Sequence, residues 1–529
     1  SGGTYIYLAR AFGPLAGTIS GLGLWMSLLL KSAFALVGFA AYLYVIAPGI
    51  DIQIAALTLL AGITALNVMG VSKIGKAQVV VVSISILALG AMVALGTDKF
   101  EMTHFDNSFT HGTGGFLAAA AFVFVSFSGV TKVAALAEEV KQPEKNLPLA
   151  MFISLIIATT VYVVVTFALM AIVPLEEVSG SPNPIFLLGQ AIGGHPLGVA
   201  AATLAIVTMV AMATAGLLAA SRFPFAMSRD RLVPSSLSHI HERFETPVNC
   251  IIITAVMMGL AIIFLDIGPI AKLASAFKLV IFMCVNLTVI ALRESRVEWY
   301  KPNFRSPLYP WVQIFGLITE GILLFALDLS AVIAAVGMAG IGVALFVLYG
   351  RKRSGQRGVL SKLGVRRELL VEARSKSTIE IRRLAQETKP RVLVAVDETV
   401  KAPETLVELA LALSNERGAR VMHVTEVPEQ ILELEAVEEN VRVTSLRRRV
   451  HAMGEVKQAS IDFDALVTHD TVATIHRAAS ELGPDWAVIE WSGRRRRDVF
   501  LRNPYLWLHR HMPCNLALYH DAGVRYFRK

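Results

Sequence analysis

Ten apolar stretches of spanning length fill the first two-thirds of this chain, and a polar segment with alternating strand and helix patterns follows. Inside a bilayer such a run finds no water for its backbone, so each must close its hydrogen bonds as a helix. The runs lie near residues 14–47, 52–71, 74–95, 115–137, 147–173, 197–227, 247–265, 270–292, 309–327 and 330–349. The first and sixth are long enough to tilt or to extend past the bilayer. Hydrophobic residues make up 54% of the 529 and charged ones 17%, the balance of an integral membrane protein. In such a protein the formal charge of +8 belongs to loops, and no nucleic acid is expected as a partner. Cys250, Cys284 and Cys514 have neither metal-ligand spacing nor the pattern of a disulfide framework, so no metal site is expected. No P-loop, Ser/His/Asp or metal constellation marks an enzyme.

Lys and Arg gather in the loops of one side, from Arg10, Lys73 and Lys76 through Arg229 and Arg231 to Arg351, Lys352 and Arg353. The alternate loops hold Lys99 alone. The positive-inside rule therefore puts both chain ends, and the polar C-terminal segment with them, in the cytoplasm of a multi-pass plasma-membrane protein.

The fourth span carries Val125, Ser126, Phe127, Ser128 and Gly129 at mid-membrane, where an unbroken helix favours apolar residues. Unwound backbone at that depth survives only where it lines a cavity, and its free N–H and C=O groups can hold a carboxylate, an amine or a coupling ion. Close helix packing is the competing reading, because Ser and Gly let membrane helices approach.

Several motifs bear on that choice. Ser1-Gly2-Gly3-Thr4-Tyr5-Ile6-Tyr7 with Gly13-Pro14, Asn67-Val68-Met69-Gly70-Val71 with Gly75-Lys76-Ala77-Gln78, and Ser128-Gly129 followed by Ala137-Glu138-Glu139-Val140 and Gln142-Pro143-Glu144-Lys145 occur in this order. Ser221-Arg222 and Ser228-Arg229-Asp230-Arg231-Leu232-Val233-Pro234 complete the series. Together they resemble the amino acid-polyamine-organocation transporter superfamily across nearly the whole apolar part. The resemblance implies a fold of twelve helices with two inverted five-helix repeats, and binding sites at the breaks of helices one and six. Ten of the twelve would be present, the chain starting near the end of helix two. An N-terminally short chain, without the half of the substrate site that helix one supplies, is the expectation.

Charged and hydroxyl side chains within the spans complete the candidate site. Lys31 lies at the middle of the first span, where an unpaired charge costs several kcal/mol. It either couples transport to protons or serves as a static partner of carbonyls or a buried acid. Ser27 lies one turn earlier and is a substrate-binding candidate. Some relatives carry a lysine in helix five that stands in for sodium, and Ser85 occupies that place here. With Thr208 and Thr214 it forms the alternative, a sodium site. Glu138 and Glu139 either pair with Arg222 as a cytoplasmic gate or simply bond loop cations. A charged Lys31 repels cationic side chains, which favours neutral or acidic amino acids.

Residues 350–389 read as a basic amphipathic linker along the membrane surface or as a solvated helix. Strand patterns follow at 391–396, 419–424, 463–467, 486–489 and 515–519 with helical patterns between them, which predicts a five-stranded parallel sheet covered on both faces. Their order, with Met512-Pro513-Cys514 before the last, resembles a universal stress protein domain over residues 390–529. In nucleotide-binding members of that family, Gly-x2-Gly-x9-Gly-Ser/Thr cradles phosphate. The corresponding places here read Glu490, Gly493, Asn503 and Pro504, so most of the loop is missing. Arg494, Arg495, Arg496 and Arg497 follow and either recruit an anion, a nucleotide or lipid headgroups, or form a solvated loop. Asp397 either contacts a nucleotide as in that family or caps the next helix. The resemblance allows a homodimer through this domain.

The sequence thus predicts a polytopic α-helical permease domain over 1–349, in contact with lipid, joined to a cytosolic α/β domain. Its expected role is secondary active transport of amino acids with H+ or Na+ as coupling ion, and no firm cofactor. A membrane-bound sensor without transport and a cation-chloride type cotransporter are the alternatives.

Overall fold

The computed structural model describes residues 4–70, 74–105, 112–129, 140–295, 297, 299–300, 302, 304, 306–327, 329–354, 358–360, 381, 390–397, 400, 402–415, 418–428, 441–491 and 505–520. The chain divides into two compact units, one comprising Ser1–Ala9, Pro14–Leu287 and Asn303–Gly355, the other Arg10–Gly13, Thr288–Pro302 and Gln356–Lys529.

The first unit is helical. In chain order the helices are α1 (Thr4–Phe12), whose last residues belong to the second unit, α2 (Pro14–Ile46), α3 (Ile52–Val68), α4 (Ile74–Leu95), α5 (Gly112–Val123), α6 (Pro143–Ile172) and α7 (Leu175–Val178). They continue with α8 (Pro184–Arg229), α9 (Val248–Phe264), α10 (Ile267–Ser295), whose end from Thr288 also belongs to the second unit, α11 (Trp311–Leu327) and α12 (Leu329–Leu345). Among the described residues seven helices are long and apolar enough to cross a membrane. Three shorter apolar ones, α3, α9 and α11, stand where the sequence predicts the second, seventh and ninth spans; 17 residues rise only about 25 Å.

Local chemistry sets several of the helix ends. Asp51 caps α3 by accepting the N–H of Ile54, and Pro143 opens α6, where a missing N–H costs nothing. Inside α8, Gly193 and Gly194 leave helical geometry, Gly194 at φ 72, so residues 184–192 form a separate short helix before the long one. A left-handed φ there suits glycine because no Cβ meets the backbone. The sequence reading began this span at 197 and missed the short helix. Lys99 donates to the carbonyls of Ala191 (2.7 Å) and Ile192 (2.8 Å), satisfying the exposed end of that helix.

Helix α2 is the centre of the packing. Its small residues let α8 approach so closely that a Cβ on Gly216 would collide with Ser32 Oγ, the usual means of joining helices in lipid. The Trp25 indole donates to Thr254 Oγ1 of α9 at 3.0 Å, and Leu28, Leu29 and Leu36 fill the core.

In the second unit, strands β1 (Val392–Asp397), β2 (Ala419–Glu426), β3 (Ile461–Thr468), β4 (Trp486–Glu490) and β5 (Asn515–Tyr519) form a parallel sheet in the order β3-β2-β1-β4-β5. Strands buried on both sides explain the unbroken apolar run of β1. Val392, Val394 and Val396 pack with α13 (Pro403–Leu413) and α14 (Val441–Lys457), while Leu393 and Ala395 pack with α15 (Thr471–Leu482) and α16 (Tyr505–His511). Arg420 of β2 and Asp464 of β3 form an ion pair at 2.7 Å, the arginine side chain only 4% exposed.

Candidate functional site

Helix α5 changes character where the sequence places its serines. The α-helical ladder stops at Val123 and residues 124–129 continue as a tighter 3-10 turn. Ser126 and Ser128 compete with the ladder for backbone groups, and Gly129 weakens it further. The poorer hydrogen bonds of such a turn leave carbonyl oxygens open to outside donors.

Two neighbouring helices use that opening and a third bonds the α-helical turn just before it. From the middle of α2, the Lys31 ammonium donates to Val125 O (3.2 Å), Ser126 O (3.5 Å) and Ser128 Oγ (3.2 Å). From α6, the Tyr162 hydroxyl donates to Ser126 O at 3.4 Å, with its ring edge-on to Phe127 at 5.3 Å. From α10, Ser275 donates to Phe122 O at 2.9 Å and Phe282 meets Phe124 edge-on. Ser128 is buried, whereas Val125, Ser126, Phe127, Gly129 and Lys31 keep part of their surface. Oxygen atoms turned out of a helix at this depth can hold an ammonium or a small cation.

The other residues singled out from the sequence fall elsewhere. Ser27, 1% exposed, donates to Ala274 O at 2.9 Å and joins α2 to α10 one residue before Ser275. Ser85 and Thr208 share a hydrogen bond at 2.9 Å between α4 and α8, and each hydroxyl also bonds its own helix, at Val81 O and Leu204 O. Thr214 does not join them; its hydroxyl bonds Val210 O and its carbonyl accepts from Asn67. Arg222 is exposed on α8, while Glu138 and Glu139, its expected gate partners, lie outside the described residues.

Sequence reasoning missed a second polar cluster. Glu320 of α11, 9% exposed, accepts from Asn286 Nδ2 of α10 at 3.1 and 3.3 Å, and Gly316 makes room, since a Cβ there would lie 2.7 Å from that nitrogen. Lys278, 2% exposed on α10, stacks its ammonium over Phe282 at 4.7 Å. A charge within each apolar run was the available signal.

In the α/β unit, β1 lies between β2 and β4, so the chain reverses its order of addition there and the crevice opens at their carboxyl ends. Asp397 ends β1 and Glu490 ends β4. Gly493, Arg494, Arg495, Arg496 and Arg497 lie outside the described residues. On α15, His476 Nε2–H donates to His511 O (3.0 Å) and the ring sits edge-on to Trp507, which stacks on His511 at 4.3 Å. Burial pushes the His476 imidazole below its ordinary value, against the opposing pull of that carbonyl. Burial likewise pushes the Cys514 thiol up. No group of three His, Cys, Asp or Glu suited to a metal occurs among the described residues.

A family model described as amino acid permease matches residues 1–349. The chain is 26% identical over 374 residues to the branched-chain amino acid permease BcaP of Bacillus subtilis (strain 168), covering 67% of this chain and 80% of that protein. It is 27% identical over 375 residues to the methylthioribose transporter of the same organism, with the same shares covered. Cationic amino acid transporter 3, mitochondrial, of Arabidopsis thaliana is 28% identical over 257 residues, or 46% of this chain and 42% of that one.

Proposed function

This chain belongs to the amino acid permease family over residues 1–349, and on that premise we propose that it is a secondary active transporter of amino acids whose solute binds at the broken segment of α5. It is a multi-pass membrane transporter and not an enzyme. The observation that carries the site is the passage from α-helix to 3-10 turn at residues 124–129, with the oxygens of Val125 and Ser126 facing donors from α2 and α6. Apolar contacts from Phe127 and Tyr162 supply a wall for an aliphatic side chain, in keeping with the name of the Bacillus permease. The positive charge of Lys31 disfavours a cationic one.

Two coupling routes attach to this reading: a proton carried by Lys31, or a sodium ion that takes the paired hydroxyls of Ser85 and Thr208 as part of its shell. The loop charges support a cytoplasmic position for both chain ends, and the α/β unit there is a regulatory domain of the universal stress protein type. Asp397 and the arginines from Arg494 to Arg497 are its anion or nucleotide candidates, and a homodimer through this unit belongs to the same reading.

The test is uptake by the purified protein in proteoliposomes, with leucine, glutamate, lysine and methylthioribose offered separately under proton and sodium gradients. Accumulation of leucine above equilibrium is expected. Binding of any of these without counterflow would sink transport and favour the sensor.

A further inference from the structure

Three oxygens that meet Lys31 are groups that an incoming ammonium would seek. Val125 O, Ser126 O and Ser128 Oγ stand 3.2, 3.5 and 3.2 Å from Nζ, at or beyond the long end of N–H···O bonding. All three are neutral acceptors, so each contact is easily exchanged for an equivalent one. The lysine is only partly buried, and its four-carbon stem allows the ammonium to swing while the helix stays in place. Two ammonium groups cannot share these oxygens: at a separation of about 4 Å and the effective dielectric of a protein, their repulsion lowers joint occupancy roughly a thousandfold.

Resting on the assignment of residues 124–129 as the solute site, we propose that Lys31 is a tethered competitor. Its ammonium fills the oxygen triad while the site is empty, and an amine-bearing solute binds by displacing it. The exchange conserves charge at the triad, because one ammonium leaves as another arrives. It also frees a cation within reach of the solute's carboxylate. A zwitterion with its amine and carboxylate on one carbon satisfies both partners: its ammonium takes Val125 O, Ser126 O and Ser128 Oγ, and its carboxylate takes Lys31 Nζ. A simple amine satisfies only the first, and a simple carboxylate only the second.

Butylammonium, which needs the triad and offers nothing to Lys31, isolates the competition. In Lys31→Met, which keeps the length and removes the charge, butylammonium should bind at least tenfold tighter than to the unaltered protein by calorimetry in detergent. Tetramethylammonium, which has no N–H to donate, should show no gain. Equal butylammonium affinity in the two proteins overturns the proposal, as does an equal gain for tetramethylammonium. A second measurement needs no variant. In the unaltered full chain, guanidinium, which offers N–H donors to the triad but does not consume the reagent, should raise the rate at which an amine-reactive ester labels Lys31, read by peptide mass spectrometry; an unchanged or slower rate overturns the proposal. Neither readout requires movement of solute, so failure of counterflow sinks the transport reading and leaves the competition to be decided by binding and labelling.

Discussion

Replacing Asp464 by alanine removes one half of the Arg420–Asp464 pair and leaves a guanidinium inside the α/β sheet. The Arg420 side chain is 4% exposed and that of Asp464 20%, with Nε and Oδ2 at 2.7 Å. Breaking a buried pair costs about 3–5 kcal/mol because the surviving charge loses its counter-ion. The partial exposure of Asp464 lets water into the vacated space, which places the cost near the lower end, about 3 kcal/mol. At 1.4 kcal/mol per factor of ten, this multiplies the opening of the sheet by roughly 150. Hydrogen exchange of the full-length protein in detergent reads that number directly, because the amides of β2 and β3 exchange through such openings. Arg420→Met with Asp464→Leu should return exchange to within about tenfold of the parent, since two apolar residues cancel the desolvation cost together with the attraction. An increase of less than tenfold in Asp464→Ala would refute the reasoning and mean that solvent already screens the pair.

Three further substitutions bear on the permease unit and on pH. Gly216→Val drives a side chain into Ser32 Oγ and should destabilise the α2–α8 contact by about 1–3 kcal/mol, seen as a lower melting temperature and reduced yield in detergent. Lys99→Ala releases the carbonyls of Ala191 and Ile192; for an exposed cation the loss is about 1 kcal/mol or less, expected as a severalfold faster exchange confined to residues 184–194. Because the folded α/β unit holds the His476 imidazole below its unfolded value, the native state binds fewer protons there. Its contribution is therefore neutral above about pH 6.5 and becomes a penalty as pH falls through that value. His476→Gln should flatten the melting temperature of the α/β unit between pH 7.5 and 5, and an unchanged slope would assign the effect to another group.

The apolar runs and the strand pattern were legible because each depends on neighbours a few residues away. The five strands appear within two residues of their predicted starts, and α2 ends where its apolar run does. Lys31 and the serines of α5 stood out for the same reason, as polar residues in apolar windows. Their relation did not, since 94 to 97 residues separate Lys31 from its acceptors. The partner of Ser27 was equally hidden: its hydroxyl finds a carbonyl 247 residues away. The helix of residues 184–192 was overlooked because it is too short for a spanning window, although Gly193-Gly194 marks its end. Glu320 was lost within an otherwise apolar run, and its environment is set by Asn286 on another helix.

Helix α2 contains 33 residues, and Lys31 is at its midpoint. At 1.5 Å per residue each arm is about 25 Å long, so the rod reaches beyond an ordinary hydrocarbon layer. Tyr42 on one arm accepts the N–H of Ile185, and Gly21 on the other packs against Met227 of α8. A rocking of the rod by about 5° about its centre would carry each tip about 2 Å in opposite directions. The lysine, at the fulcrum, would stay where it is. Such a motion would change the spacing at the two ends and leave the backbone at Lys31, and with it the tether of the ammonium, in place.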